Sequence, residues 1–488
     1  MKKFFGIHLL LCLALLLEML GMPVSATQTG TSPQETLPAA GDTAFGTATV
    51  TSGCRTLDGM VPLGGSTAFL KSAQAAFIYE QNTGTVMYAY NPDITLSPGA
   101  LTKLMTAIVA IENGNLSDQV TISTANYNTL PAGAINAKLK NGEVLTLEDL
   151  LYCMILKMAN DAAISIAEHI AGSEAAFVDM MNSLARSIGC TGTVFTNCHG
   201  ISATGQYTTA RDLVRIYQYA MKNSEFSTLL GAKSYTVPAN DKSEKRDLVT
   251  NNFLLEQLNV TKYIDDRVTG GFATYTSSSG ASLACTAQDD GLSLILIVLG
   301  CSRTYNSKGS VSYYGNYDEM WDMLEFAFDN YRVCRLLHEG QAWSQFTVAN
   351  GENQVVGQTN TAMDVVLPKD ATTKNLILKY SVEGGGLTAP IQKGQKIATM
   401  QISYQNSYVA ETELFAMSAV RSVTDEKLQI QSATRDDSNV TGVLSFVGIL
   451  CLVILIPLVL YLVVNNVRRA VARNRRRRRR RSRRRSRG

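Results

Sequence analysis

The sequence predicts an α+β domain followed by a small all-β module. Between residues 68 and 335, strand-like segments lie at both ends and amphipathic helices lie between them. Early and late strands are therefore expected to share one sheet. From about residue 340 to 435 the pattern changes to short alternating strands separated by Gly, Asn, Pro and Lys, which is typical of a β domain. A length of 488 residues fits two or three domains.

Turn residues predict two β-hairpins in the first domain. Asn82-Thr83-Gly84 separates two alternating apolar runs in residues 75–93. Asp289-Asp290-Gly291 separates two more in residues 281–300. These hairpins supply the early and the late strands of the expected sheet.

Apolar spacing predicts three helices. The first starts near Pro98, and its Lys103 follows Ala100 by one turn on the same face. The second covers residues 145–172, opens with a Thr-x-x-Asp variant of the capping box and contains one interruption. The third covers residues 208–223.

Both ends of the chain predict export and anchoring in a membrane. Residues 1–26 combine two lysines, an apolar run and a small-residue cleavage site, which indicates a secretory signal peptide, with an uncleaved anchor as the alternative. Residues 27–66 have the composition of a flexible linker. Residues 443–464 carry no charge and would span about 33 Å as a helix, so a transmembrane helix is predicted. The Arg-rich tail, residues 465–488, is expected to stay in the cytoplasm.

Charge is divided unevenly between the tail and the rest of the chain. The tail holds 14 arginines, and without them 30 basic residues face 41 acidic ones. The tail is interpreted as a topology signal that also contacts anionic lipid headgroups, and binding to nucleic acid or ribosomes is the less favoured alternative. No nucleic acid partner is expected.

Cysteines and histidines predict neither a metal site nor a cofactor. Nine cysteines occur without a CxxC pair, and the chain has four histidines. The irregular spacing does not predict a disulfide framework. Cys190 and Cys198 either pair across a loop or remain buried thiols.

Several long segments resemble one enzyme family. They are "NTGTVMYAYNPDITLSPGALTKLMTA", "LTLEDLLYCMILKMANDAAISIAEHIAGS" and "FTNCHGISATGQYTTARDLVRI". They are similar to the serine-type D-Ala-D-Ala carboxypeptidases, the low-molecular-mass penicillin-binding proteins of peptidase family S11. "APIQKGQKIATMQISYQNSYVAETELFA" resembles the C-terminal domain of the same family. The resemblance implies a β-lactamase/transpeptidase-like domain over residues 67–335 and the family's β domain over residues 340–435, before the transmembrane helix.

The first family motif, S-x-x-K, has lost its nucleophile. In the family a serine attacks the D-Ala–D-Ala carbonyl and the lysine removes its proton. Here Ala100 occupies the serine position and Lys103 is retained. A methyl group can neither attack a carbonyl nor leave in deacylation. Lys103 is then either a buried structural lysine paired with Asn160 or a ligand-binding group.

The second and third motifs, S-x-N and K-T-G, are also degenerate. Met158 replaces the serine that helps pass protons, while Asn160, which the resemblance assigns to the substrate amide, is retained. Val268 replaces the lysine that attracts the substrate carboxylate. Thr269 and Gly270 are retained and are assigned to substrate binding. Because such residues act as a unit, loss of one already removes most of the rate enhancement.

Neighbouring residues offer weak replacements. Ser97 precedes Pro98 and is expected before the helix or at its cap. Arg267 adjoins the degenerate valine but is expected to face away from the cleft unless a bulge intervenes. Lys157 would restore a little positive charge next to the second motif. His199 is expected to be a structural, hydrogen-bonded histidine.

The favoured function is that of a catalytically inactive homologue of D-Ala-D-Ala carboxypeptidase. It would lie in the bacterial cell membrane with a single span and its bulk outside, where it binds or scaffolds peptidoglycan. Its expected partners are the peptidoglycan stem peptide, cell-wall proteins and the membrane itself. The alternative is an active serine-type carboxypeptidase that trims stem peptides, which requires an unrecognised nucleophile.

Overall fold

The structure, a computed structural model, describes residues 70–423 apart from 257–260 and 405–406. The predicted signal peptide, linker, transmembrane helix and Arg-rich tail therefore lie outside the described residues. Within the described ranges, no helix is both long enough and apolar enough to cross a bilayer.

The first part of the chain is built on a five-stranded antiparallel sheet in the order β2-β1-β9-β8-β7. Ala75 lies opposite Leu299, so early and late strands share the sheet as predicted. Both predicted hairpins are present. The strands of this part are β1 (Ala75–Glu80), β2 (Thr85–Tyr90), β3 (Gln119–Thr121), β4 (Val144–Thr146), β5 (Ser234–Val237), β6 (Arg246–Val249), β7 (Val268–Thr276), β8 (Gly280–Asp289), β9 (Leu292–Cys301), β10 (Arg303–Tyr305) and β11 (Val311–Tyr314).

Seven helices of the described residues cover the two faces of this sheet. They are α1 (Thr102–Asn113), α2 (Leu147–Leu156), α3 (Asn160–Ala171), α4 (Glu174–Ser187), α5 (Ala210–Ala220), α6 (Ser224–Gly231) and α7 (Gly315–Asn330). Ile295 and Ile297 of β9 belong to the apolar cluster that contains α1 to α6. Leu294 and Leu296 belong to the cluster that contains α7. This alternation is the two-residue period of a strand buried on both faces.

Local sequence signals explain where the helices begin and end. Thr146 caps α2, and its side chain and that of Asp149 form the reciprocal capping box. The predicted helix over residues 145–172 is divided into α2 and α3, as the interruption in its pattern indicated. Gly172 ends α3 with a φ of 76°, a conformation that glycine adopts without steric cost.

The C-terminal part is all β. Its strands are β12 (Tyr331–Leu337), β13 (Ala342–Phe346), β14 (Val348–Ala349), β15 (Val355–Gln358), β16 (Met363–Pro368), β17 (Leu376–Ser381), β18 (Leu387–Thr388), β19 (Lys396–Tyr404) and β20 (Ser407–Ala416). Five of them form a sheet in the order β13-β15-β20-β19-β17. Separately, β12 pairs with β16 and β14 pairs with β18.

By internal contacts the chain divides into two compact units. The first contains residues 70–346, 356–385 and 393–418 of the described chain. The second contains residues 347–355, 386–392 and 419–423, in which β14 and β18 form a short parallel pair.

Candidate functional site

The first motif lies on a 3-10 turn, Gly99–Leu101, that continues directly into α1. Ser97 lies before this turn, and no side chain caps it. Ala100 is 9% exposed. Gly200, with a φ of 79°, approaches the turn so closely that a Cβ there would lie 2.2 Å from the Gly99 carbonyl oxygen. The loop that carries Gly200 therefore packs directly on the backbone of the Ala100 turn.

Lys103 is buried beneath this turn, with 1% of its surface exposed. Its Nζ donates a hydrogen bond to Oδ1 of Asn160 at 2.7 Å. It donates a second one to the backbone carbonyl of His199. The retained lysine and the retained asparagine thus lie in direct contact, as the sequence analysis considered.

Burial lowers the pKa of Lys103 to about 7. The ammonium form loses its hydration in this environment, and the more distant Asp161 and Cys198 counteract the effect only in part. Near neutral pH the lysine therefore exchanges readily between its neutral and charged forms. That is the property of a general base, although the residue one turn earlier is alanine.

Asn160 is the first residue of α3 and is held in place by Ile135. Its backbone N–H and its Nδ2 both donate to the Ile135 carbonyl, each at 2.8 Å. Its Oδ1 accepts the hydrogen bond from Lys103. One N–H of the side-chain amide remains for a ligand.

Met158 lies at the break between α2 and α3 in left-handed backbone, with a φ of 57°. Its sulfur contacts Nδ2 of Asn251. A non-glycine residue in this region costs about 1 kcal/mol or more and persists where its surroundings impose the conformation. The backbone of the second motif is thus fixed although its side chain differs from serine.

Val268 is the first residue of β7 and is 7% exposed. It belongs to the apolar cluster of the α7 face, with Met320 and Phe328. Arg267 pairs with Asp265 at 2.7 Å and with Glu325 of α7. Both side chains therefore contact the α7 side of the sheet. Arg267 does not replace the motif lysine.

Thr269 and Gly270 lie at a bulge near the start of β7, since the pairing with β8 shifts between residues 268 and 270. Thr269 is exposed, and its hydroxyl shares a hydrogen bond of 2.8 Å with Thr286. Gly270 is buried, and a Cβ there would lie 3.2 Å from the backbone of Leu230 at the end of α6. Glycine permits this close approach of strand and helix.

Glu174 and Cys198 also neighbour the site, although no sequence pattern predicts them there. The backbone N–H and the thiol of Cys198 both contact Oε1 of Glu174, at 3.1 and 3.2 Å. Nε2 of His199 lies 3.6 Å from the same oxygen. No local signal relates Glu174, at the start of α4, to a loop more than twenty residues later.

His199 is a neutral, hydrogen-bonded side chain. Burial lowers its pKa to about 4, although the Glu174 carboxylate opposes the shift. Its Nδ1 accepts a hydrogen bond from the Ile201 N–H at 3.1 Å. This geometry agrees with the structural role expected for it.

Two hydroxyls near the Ala100 turn are already bonded to backbone carbonyls. Thr102 donates to Gly99 at 2.8 Å, and Thr106 donates to Cys198 at 2.6 Å. Among the described residues, the hydrogen-bond partners of Lys103 include no hydroxyl. The site therefore contains a buried lysine that can exchange a proton, but within the described part of the chain no hydroxyl is bonded to it for acyl transfer.

The cysteines of the described residues are free, including Cys190 and Cys198. No group of three or more His, Cys, Asp or Glu side chains with metal-binding geometry occurs in this part of the chain.

Comparisons with known proteins relate both parts of the chain to one family of enzymes. The family model for D-alanyl-D-alanine carboxypeptidase, peptidase S11, matches residues 66–303, and the model for the C-terminal domain of penicillin-binding protein 5 matches residues 331–422. D-alanyl-D-alanine carboxypeptidase DacF of Bacillus subtilis is 27% identical over 348 residues, which cover 70% of this chain and 85% of the relative. The D-alanyl-D-alanine carboxypeptidase of Streptomyces sp. K15 is 35% identical over 199 residues, which cover 38% of this chain and 68% of the relative.

A solved structure supports the same assignment. Penicillin-binding protein 5 of Haemophilus influenzae superposes with a TM-score of 0.58 at 27% identity, covering 73% of this chain and all of that one. The two-part architecture, α+β followed by all-β, is thus the architecture of that protein. The chain therefore belongs to the peptidase S11 family of D-alanyl-D-alanine carboxypeptidases and carries a C-terminal domain of the penicillin-binding protein 5 type.

Proposed function

We propose that this protein is a catalytically silent member of its family that binds or scaffolds peptidoglycan outside the cell membrane. The observation that carries the proposal is the methyl group of Ala100, one turn before the buried Lys103. An acyl-enzyme needs an oxygen or sulfur atom at that position, and a methyl group supplies neither.

The lysine itself is occupied in a way that favours a structural role. Its Nζ bonds to Asn160 and to the His199 carbonyl, so it connects α1, α3 and the loop that packs on the Ala100 turn. In this role Lys103 stabilises the conformation of the cleft. It has no nucleophile proton to remove, because residue 100 is alanine. The motif lysine that would attract a substrate carboxylate is absent as well, because Val268 is apolar and packed towards α7.

Binding of a stem peptide is proposed to use Asn160, Thr269 and Gly270. Asn160 retains one amide N–H, and Thr269 is exposed on β7, an edge strand of the sheet. Without a cation for the terminal carboxylate, binding is expected to be weak. Cell-wall proteins are the second proposed class of partner. In the same proposal, a C-terminal helix anchors the protein in the membrane, and the Arg-rich tail contacts anionic lipids.

The alternative is an active carboxypeptidase, which the names of the relatives favour. A fluorescent penicillin distinguishes the two functions, because a serine-type enzyme of this family forms a covalent ester with it. We expect no covalent label on the purified full chain. A penicilloyl adduct on any side chain of the cleft, located by mass spectrometry, would establish the active alternative.

The matched variants restore the nucleophile in steps. Ala100→Ser places a hydroxyl one turn before Lys103, whose pKa of about 7 suits a base, so slow labelling is expected to appear. Adding Met158→Ser is expected to increase it. Val268→Lys is kept as a separate variant, because a lysine in the apolar cluster of α7 would itself destabilise the fold. If Ala100→Ser folds and remains unlabelled, the proposed relation between position 100 and Lys103 is wrong.

A further inference from the structure

Arg303 begins a hairpin that lies between the two ranges matched by the family models. The hairpin consists of β10 and β11, and residues 304–330 belong to neither matched range. The guanidinium of Arg303 stacks on two aromatic rings, 4.2 Å from the centroid of Tyr275 and 5.0 Å from that of Tyr314. This arrangement fixes the plane of the cation, and the residue as a whole is half-buried.

The cation is stacked but not neutralised. Nε of Arg303 is buried and has no hydrogen-bond partner among the described residues, and no carboxylate of that part of the chain forms an ion pair with it. Arg267 of the neighbouring chain segment before β7 differs, since it pairs with both Asp265 and Glu325. A stacked guanidinium without an acidic partner is the kind of group that proteins use to bind carboxylate or phosphate.

The surroundings of Arg303 suit a ligand that contains sugar rings. Tyr305 is 49% exposed and shares a hydrogen bond with the Tyr275 hydroxyl. The β7–β8 turn, which follows Tyr275, carries the hydroxyls of Thr276 and Ser278, which bond to each other and to the hydroxyls of Ser279 and Ser202. Exposed aromatic faces beside hydroxyls offer both an apolar surface for a sugar ring and partners for its hydroxyl groups.

We propose that Arg303, Tyr275, Tyr305 and Tyr314 form a binding site for an anionic glycan, a sugar-containing polymer that carries phosphate or carboxylate groups. The site lies on the β10–β11 hairpin and does not use the residues of the degenerate motifs. The choice of a cell-wall polymer rests on the proposed function, whereas the site itself rests on the stacked cation.

Titration calorimetry on the full chain in detergent tests the site with three probes. A glycosylated poly(glycerol phosphate) supplies phosphate, an oligogalacturonate supplies carboxylate, and chitohexaose is neutral. We expect one or both anionic probes to bind, more weakly at high salt, and chitohexaose to bind at least about tenfold more weakly. Equal binding of neutral and anionic probes, or no binding of either anionic probe, would overturn the proposal.

Variants separate the stacked cation from net charge. Arg303→Ala is expected to weaken anionic binding at least about tenfold, and Arg303→Lys several-fold, because lysine cannot stack and present two donors. Lys308→Ala removes the same charge from the exposed tip of the hairpin and should change binding by less than about twofold. Equal losses in Arg303→Ala and Lys308→Ala would show diffuse charge attraction and overturn the site.

A further variant covers the case in which Arg303→Ala fails to fold. Tyr305→Ala alters an exposed ring, leaves the packed residues in place, and is expected to weaken binding several-fold. An unchanged affinity in this folded variant would contradict the proposal. The result is independent of the silent cleft, since penicillin labelling of the chain would overturn that proposal and leave glycan binding through Arg303 intact.

Discussion

Lys103 makes contacts that would stabilise the fold even without a catalytic role. Its two hydrogen bonds join segments that are 57 and 96 residues apart in the chain. Replacing it would leave the carbonyl groups of Asn160 and His199 without a donor in a buried site, at a cost of about 1–3 kcal/mol each. The stability that these contacts give is therefore a sufficient physical reason for a lysine at this position.

The ionisation of Lys103 leads to a pH prediction. Its pKa is lowered from 10.5 to about 7, so the unfolded chain binds this proton more tightly than the folded chain does. Stability is then expected to rise with pH between about 7 and 10.5, by at most about 1.4 kcal/mol per pH unit from this group. Below pH 7 the full cost of the buried charge is present.

NMR titration of the Lys103 side-chain nitrogen measures this pKa directly. A Lys103→Met variant is the control, since the part of the stability slope above pH 7 that belongs to this residue should disappear. A measured pKa near that of an exposed lysine would mean that the site admits water or a counter-ion, contrary to the expectation.

The residue scale also shows what a single sequence can reveal about the site. Lys103, Asn160 and their contact follow from motifs with fixed spacing. Glu174, Cys198 and Asn251 reach the site through long-range packing, which no local pattern encodes. Val268 packs towards α7 next to a bulge in β7. A bulge of one residue has no reliable sequence signal.

At the scale of elements, two small two-stranded sheets are joined by a buried ion pair. Glu143, next to β4, is fully buried and pairs with Arg246 of β6 at 2.8 Å. Nδ2 of Asn240 donates to the same carboxylate at 2.9 Å. Burial alone would raise the pKa of Glu143, but the hydrogen bonds from Arg246 and Asn240 lower it to about 2. The pair thus fixes the β5–β6 hairpin on the antiparallel β3–β4 pair.

We expect Glu143→Gln to destabilise the fold by about 3 kcal/mol, because it leaves Arg246 buried without a charge partner. The ionised form stabilises the folded state fully above the unfolded pKa of about 4.5, and this contribution is lost as the pH falls towards 2. The difference between wild type and variant in urea unfolding should therefore shrink over that range.

Asp247→Asn is the matched control for the buried pair. Asp247 pairs with Lys245 at 2.8 Å in the same hairpin, but both side chains are more than half exposed. Its loss should cost less than about 1 kcal/mol. Equal effects of the two variants would show that burial does not strengthen the Glu143 pair.

The elements that the sequence predicts correctly depend on local signals, although α4 and α6 also have capping residues and are not among the three predicted helices. Both hairpins with Gly-containing turns, the capping box of α2 and the α2–α3 break are present because each depends on neighbouring residues. β12 begins before the predicted β domain of residues 340–435 and was not predicted, since its partner, β16, lies far along the chain. β12 begins at Tyr331, directly after the last residue of α7, so no loop residues mark the boundary between helix and strand.

At the scale of the whole molecule, the thiols combine two features that rarely occur together. The sequence predicts an extracytoplasmic location, where thiols tend to oxidise, yet the six cysteines of the described residues are free. Five of them are buried, and Cys334 is half-buried. Burial raises the pKa of Cys153 and of Cys190 to about 12, so almost no reactive thiolate forms at neutral pH.

Packing, and not the compartment, is therefore expected to keep these thiols reduced. Alkylation of the native full chain at neutral pH, followed by peptide mass spectrometry, should leave the five buried cysteines unmodified, and Cys334 should react slowly. Denaturant should expose all six, because the protection depends on the folded cores on both faces of the sheet. A Cys190–Cys198 disulfide in the peptide map would contradict this, since the native fold buries both residues as separate thiols. Rapid native alkylation of Cys285, which lies under α7, would mean that this face opens far more often than its packing allows.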